Sequence, residues 1–164
     1  MSSLHYAAYG SNLHPERLQR RLASARLAGT GFLPGYALHF QKRGADGSAK
    51  CTILPDGTGV HLAVYSIDAA EKPLLDRIEG IGQGYDPVTL DLPGFGPAFS
   101  YMASASHLAD DLRPFCWYRE MVLRGCRRHG FPADYVAAID AIVPLRDPNV
   151  RRRQSNWAIV EEMR

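Results

Sequence analysis

The order of local signals along this 164-residue chain constrains its fold more than any single segment does. To about residue 103, short strand-like runs alternate with Gly, Pro and Asp turns; beyond it, apolar residues recur at helical spacing. Residues 4–9 read as a first, buried strand, which Gly10-Ser11-Asn12 breaks with turn chemistry. Pro15 opens a short helix through Leu22, where the first helical amide needs no partner. Residues 29–35 are punctuated by glycine and proline, and the next strands are read at 36–41 and 51–54. Asp56-Gly57 signals a hairpin into a strong strand at 60–67. Asp68-x-x-Glu71 has capping-box character, but Pro73 sits deep for that start and moves the helix toward Lys72, with Gly80 as its stop. Two more strands, at 88–92 and 98–103, flank a Pro/Gly turn.

Phe115, Tyr118, Met121, Val122 and Cys126 then mark one helix, and Tyr135, Val136, Ile139 and Ile142 another. Strands first and helices later predict an α+β fold, with a closed barrel and outer helices as one form. The chain reads as a single domain over 1–164, with a polar, basic tail from about 147 whose Trp157, Ile159 and Val160 dock back on the body.

Composition narrows the function classes. Nineteen basic against seventeen acidic residues give a net charge of only +2, too little to imply a nucleic-acid or membrane partner. The basic clusters at 124–129 and 151–153 read as solvated faces. No apolar run approaches the ~20 residues of a membrane span, and no secretory signal is visible at the start. Three cysteines make no disulfide framework; on one helix, Cys116 and Cys126 would lie ~15 Å apart along the axis. A reducing cytoplasm fits.

The common catalytic sets are missing. Six histidines show no metal-ligand spacing, and Cys126-x-x-His129 lacks a second half. There is no nucleophile elbow, Walker loop or dinucleotide fingerprint. Ser11 follows a glycine after a strand, but no His/Asp pair has a recognisable place beside it.

Two segments carry a signal. In Tyr9-Gly10-Ser11-Asn12-Leu13, successive amides can converge on an anionic oxygen, and the Ser11 hydroxyl and Asn12 amide add donors. The plain alternative is a capped strand-to-helix turn. The second is the segment ending Ile78-Glu79-Gly80, followed by Tyr85. Glu79 falls in the last turn of its helix, where the macrodipole disfavours negative charge by ~0.3–1 kcal/mol. No lysine or arginine stands at i+4, so the acid is placed to accept a proton, as a general base for an amine must. The plain alternative here is an exposed acid at a frayed helix end.

Together these segments resemble the γ-glutamylcyclotransferase family. Tyr9 to Leu13 matches its Tyr-Gly-Ser-Asn-Leu motif without a change, and Glu79, with Gly80 and Tyr85, stands where the family's catalytic glutamate does. Gly130-Phe131-Pro132-x-x-Tyr135 is close to its Gly-Leu-Pro-x-x-Tyr pattern, and the resemblance runs from about Leu4 to about Val143. It implies a small mixed β-barrel flanked by helices and the release of 5-oxoproline from a γ-glutamyl amino acid or γ-glutamyl amine. The substrate's own α-amine attacks its γ-carbonyl, so no nucleophile, metal or cofactor is needed; holding the chain folded can supply ~7–11 kcal/mol of the barrier. By the resemblance Glu79 is the general acid/base and Tyr9, Gly10, Ser11 and Asn12 hold the substrate, with Tyr6, Tyr85 and Tyr118 as positioning candidates. Asn12-Leu13 differs from the Leu-aromatic continuation of the glutathione-specific branch, which favours other γ-glutamyl compounds. The expected partner is a small γ-glutamyl molecule, in a monomer or homodimer. The competing readings are a non-catalytic module that binds a small acid and a Ser11 hydrolase.

Overall fold

The computed structural model describes residues 2–164. Its strands are β1 (Ser3–Ala8), β2 (Arg26–Leu33), β3 (Ala37–Arg43), β4 (Ala49–Leu54), β5 (Val60–Asp68), β6 (Tyr85–Leu92) and β7 (Gly96–Ala103). Its α-helices are α1 (Pro15–Arg21), α2 (Lys72–Glu79), α3 (Cys116–Arg128), α4 (Ala133–Asp140) and α5 (Val150–Glu162). Five strands form one sheet in the order β2-β5-β1-β7-β6, and β3 and β4 form a separate hairpin. Only β1 and β7 run parallel. The fold is α+β as expected, but the strands do not close into a single hydrogen-bonded barrel. Instead the hairpin leans on the sheet through a side chain, the Thr52 hydroxyl accepting from the Ala103 amide at 2.9 Å.

β5 explains why the sheet forms. Val60, Leu62, Ala63, Val64, Tyr65 and Ile67 are all buried, so it reads as an apolar run fit for a strand covered on both faces. It pairs antiparallel with β1 on one side and β2 on the other. β2 was not visible in the sequence because Gly29 and Gly31 break the apolar pattern. The cause lies elsewhere in the chain: a Cβ on Gly29 would stand 2.9 Å from the Phe95 ring, and one on Gly31 3.2 Å from Leu62. Glycine is what lets that ring lie across the strand.

Asp68 caps a single 3-10 turn, Ala69–Glu71, by accepting from the Ala70 amide, and α2 begins at Lys72 with Pro73 in its first turn. Gly80 ends α2 in the left-handed region at φ 77°. α3 buries Trp117, Tyr118, Met121, Val122, Leu123 and Cys126 in the core. The tail does dock, and as a helix: the Asn149 side chain caps α5 at the Arg152 amide, while Val160 and Met163 are buried and Trp157 and Ile159 half-buried against the core. Among the described residues no helix is long and apolar enough to cross a membrane.

Candidate active site

The turn after β1 is braced from three sides. The Leu13 amide donates to the Gly10 carbonyl at 3.1 Å, closing it. The Leu13 carbonyl accepts from the Tyr65 hydroxyl and from His129 Nε2, both at 2.6 Å. α3 packs directly on it, because a Cβ on Gly125 would fall 2.5 Å from that of Leu13. Gly10 is required by closeness and not by a left-handed backbone: its Cβ would lie 3.0 Å from that of Cys51. The backbone amides of Gly10, Ser11 and Asn12 have no protein acceptor among the described residues. Next in the chain, His14 starts α1: its Nδ1 accepts from the Glu16 amide at 3.2 Å, which leaves Nε2 to donate to the Arg164 carbonyl at 3.0 Å. Burial lowers the His14 pKa and so favours that neutral ring.

α2 delivers Glu79 to this turn. Asn12 Nδ2 donates to Glu79 Oε1 at 2.8 Å and to the Tyr6 hydroxyl at 3.1 Å. Arg21, the last residue of α1, donates to the same Oε1 at 3.2 Å and to Asn12 Oδ1 at 3.3 Å. Glu79 therefore has a cationic partner from another helix, which its own helix lacks, and the isolation expected from the sequence is corrected. Its side chain is 17% exposed, so it is neither a frayed end nor sealed off. Oε2 has no hydrogen-bond donor among the described residues, which leaves it open to exchange a proton with a bound molecule.

The tyrosines form the wall behind. Tyr85 donates to the Cys51 carbonyl at 2.6 Å and Tyr118 accepts from the Cys51 amide at 2.9 Å, so the pair holds both backbone polar groups of one residue of β4. The Tyr9 hydroxyl donates to the Tyr101 carbonyl. Burial raises the phenols of Tyr6, Tyr9, Tyr85 and Tyr118 well above the usual range, so they act as neutral hydrogen-bonding groups.

Tyr6, Tyr9, Ser11, Asn12, Glu79 and Tyr118 line a narrow cavity of about 30 Å³, together with Gly10 and Tyr85. All the residues expected at a site thus converge on one place. Ser11, Glu79, Tyr85 and Tyr118 also line a wider cavity of about 720 Å³ next to it. The sequence reading missed Arg21 and Tyr101; the one signal for Arg21 was its place a helical turn after Arg17, just beyond the turn motif. Ser11 has no histidine bonded to it among the described residues, and both nitrogens of His14 are engaged elsewhere. Cys126 is buried in the core and His129 is bonded to the turn, so the Cys-x-x-His spacing serves packing.

A mixed five-stranded sheet with a turn after its first strand and an acid delivered by the helix after β5 defines a γ-glutamylcyclotransferase-like fold. A solved γ-glutamyl cyclotransferase superposes with a TM-score of 0.85 at 23% identity, covering 98% of this chain and 99% of that one. An uncharacterized Homo sapiens protein, loc79017, gives 0.84 at 24% identity over the same shares. YkqA from Bacillus subtilis gives 0.74 at 18% identity, covering 88% of this chain and 57% of YkqA. These likenesses establish the fold. Residues 59–139, which include Glu79, Tyr85 and Tyr118, match the AIG2-like family, so the resemblance drawn from the motifs stands. No curated protein sequence matches the chain.

Proposed function

We propose that the protein is a γ-glutamylcyclotransferase that releases 5-oxoproline from a γ-glutamyl amino acid or γ-glutamyl amine. The observation that carries this reading is the pairing of Glu79 Oε1 with Asn12, which brings the one acid of the narrow cavity against the Tyr9–Asn12 turn. The narrow cavity has room for little more than a carboxylate-sized group, so the γ-glutamyl chain extends from it into the wider one. The amides of Gly10, Ser11 and Asn12 are the donors for an anionic oxygen, either the α-carboxylate or the oxyanion formed at the γ-carbon.

Glu79 takes a proton from the α-ammonium on Oε2. The freed amine attacks the γ-carbon and the ring N–C bond forms; the bond to the leaving amine breaks as Glu79 returns the proton to that nitrogen. The ionised carboxylate then takes the second proton from the ring nitrogen, leaving a neutral lactam, and passes it to the departing amine. Arg21 and Asn12 fix the carboxylate on its other oxygen throughout. Proton transfer from a positioned side chain contributes ~10²–10⁴-fold, and the intramolecular geometry the rest.

A panel of γ-glutamyl dipeptides and γ-glutamyl amines, assayed for ring product, tests the reading. It predicts 5-oxoproline and free amine in equal amounts, with no glutamate formed from the γ-glutamyl half. Glutamate as the acyl product would indicate hydrolysis and defeat it. Ligand stabilisation with no turnover of any compound would favour the binding module.

A further inference from the structure

The wider cavity carries more positive charge than a γ-glutamyl group can use. It is lined by Arg17, Arg21, Lys42, Arg43, Lys50 and Arg77. Glu79 pairs with Arg21 at 3.2 Å and Asp46 with Lys50 at 2.9 Å. The other four have no carboxylate within salt-bridge distance among the described residues. Arg43 and Arg77 are exposed and solvated.

Arg17 and Lys42 are not. Lys42 is 6% exposed, and the group facing its ammonium is the Tyr85 ring, 4.6 Å away. The fold makes room for it: a Cβ on Gly84 would lie 2.8 Å from Lys42 Nζ, and φ there is +130°. Arg17 Nε is sealed from solvent with no hydrogen-bond partner. Burial lowers the pKa of both, Arg17 to about 10, so Arg17 stays cationic at neutral pH. Glu79 attracts both only beyond salt-bridge distance and is already paired with Arg21, so Lys42, which is buried, and Arg17, which is half-buried, leave positive charge in the cavity that a ligand's anions would balance.

We infer that the wider cavity takes the leaving amine and selects one bearing two anionic charges, read by Lys42 and Arg17. The substrate class is then a γ-glutamyl conjugate of a dicarboxylic amino acid or of an amine that carries a phosphate. This rests on the function proposed above, in which the γ-glutamyl carboxylate or the oxyanion is held by the turn amides.

The test measures dissociation constants by calorimetry on Glu79→Gln protein, and kcat/KM on the unaltered protein, for two matched pairs. These are γ-glutamyl-glutamate against γ-glutamyl-glutamine, and γ-glutamyl-phosphoethanolamine against γ-glutamyl-ethanolamine. The more anionic member of at least one pair should bind about tenfold tighter or better, as a charge-assisted contact gives, and the pair with the larger ratio names the source of charge. Lys42→Met and Arg17→Met should each bring that ratio toward one, while Lys42→Arg keeps most of it. Equal dissociation constants and equal kcat/KM within both pairs overturn the inference, and the kcat/KM ratios on the unaltered protein decide this even if a variant fails to fold. A clear binding preference with no 5-oxoproline from any compound would instead defeat the proposed reaction and leave the anion-selective cavity standing.

Discussion

Asn12 and Glu79, 67 residues apart, meet through one 2.8 Å hydrogen bond that ties the turn after β1 to the last residue of α2. Asn12 also reaches the Tyr6 hydroxyl and accepts from Arg21, so one buried amide orients the acid, its cation and a wall tyrosine together. Asn12→Ala should lower kcat/KM for 5-oxoproline release by about tenfold or more. It should also cost about 1–3 kcal/mol of stability, because the Tyr6 and Arg21 groups lose a buried partner. Urea unfolding alongside the rate assay checks this; a stable variant of full activity would show the bond to be incidental.

The contact between α3 and the turn sets two effects against each other. Gly125→Ala gains about 1 kcal/mol of helix propensity, yet its Cβ would sit 2.5 Å from that of Leu13, and overpacking costs about 1–3 kcal/mol. The clash should win, giving a lower denaturation midpoint and a lower turnover rate as the turn shifts. A midpoint above that of the unaltered protein would mean the helix and turn can part without strain.

Asp147 gives the fold a defined acid sensitivity. Its carboxylate accepts from Arg152 twice at 2.7 Å, from the Trp117 indole at 3.0 Å and from the Asn149 amide at 2.9 Å. The Arg152 guanidinium, chiefly, holds its pKa well below the usual carboxylate range. A depressed folded pKa adds stability that is full above the unfolded value of about 3.9 and is lost as pH falls below it. The stability difference between the unaltered protein and Asp147→Asn should therefore be largest near neutrality and shrink from about pH 4 downward. A difference that stays constant over that range would assign the effect to shape instead of charge.

Much of this was legible in the chain because the signals were local. The apolar run of β5, the spacing of Phe115 to Cys126, Gly80 after α2 and the Tyr9–Leu13 turn each declare themselves within a dozen residues. What stayed hidden depends on partners far along the chain. β2 looked broken because Gly29 answers to Phe95, and Glu79 looked unpaired because Arg21 comes from another helix. α5 gave no apolar stripe, since its arginines at 151–153 face Asp147 and solvent while Val160 and Met163 alone are fully buried. Tyr9 was expected to touch substrate; its hydroxyl is bonded to the Tyr101 carbonyl, which leaves its backbone and ring to face the cavity.

Arg21 fixes one oxygen of Glu79 and leaves Oε2 to move the proton, so its loss should be milder than loss of the acid itself. Arg21→Gln should reduce kcat more than it raises KM, by about tenfold, and Arg21→Lys should recover part of the loss. A change confined to KM would place Arg21 in substrate binding instead.

The most direct measurement is the rate of 5-oxoproline release by Glu79→Gln protein whose circular dichroism and unfolding midpoint match those of the unaltered chain. Removing the group that moves the proton should cut kcat by about 10²-fold or more, with the amide still bonded to Asn12 or Arg21. A folded Glu79→Gln protein that forms 5-oxoproline at the original rate would contradict the account.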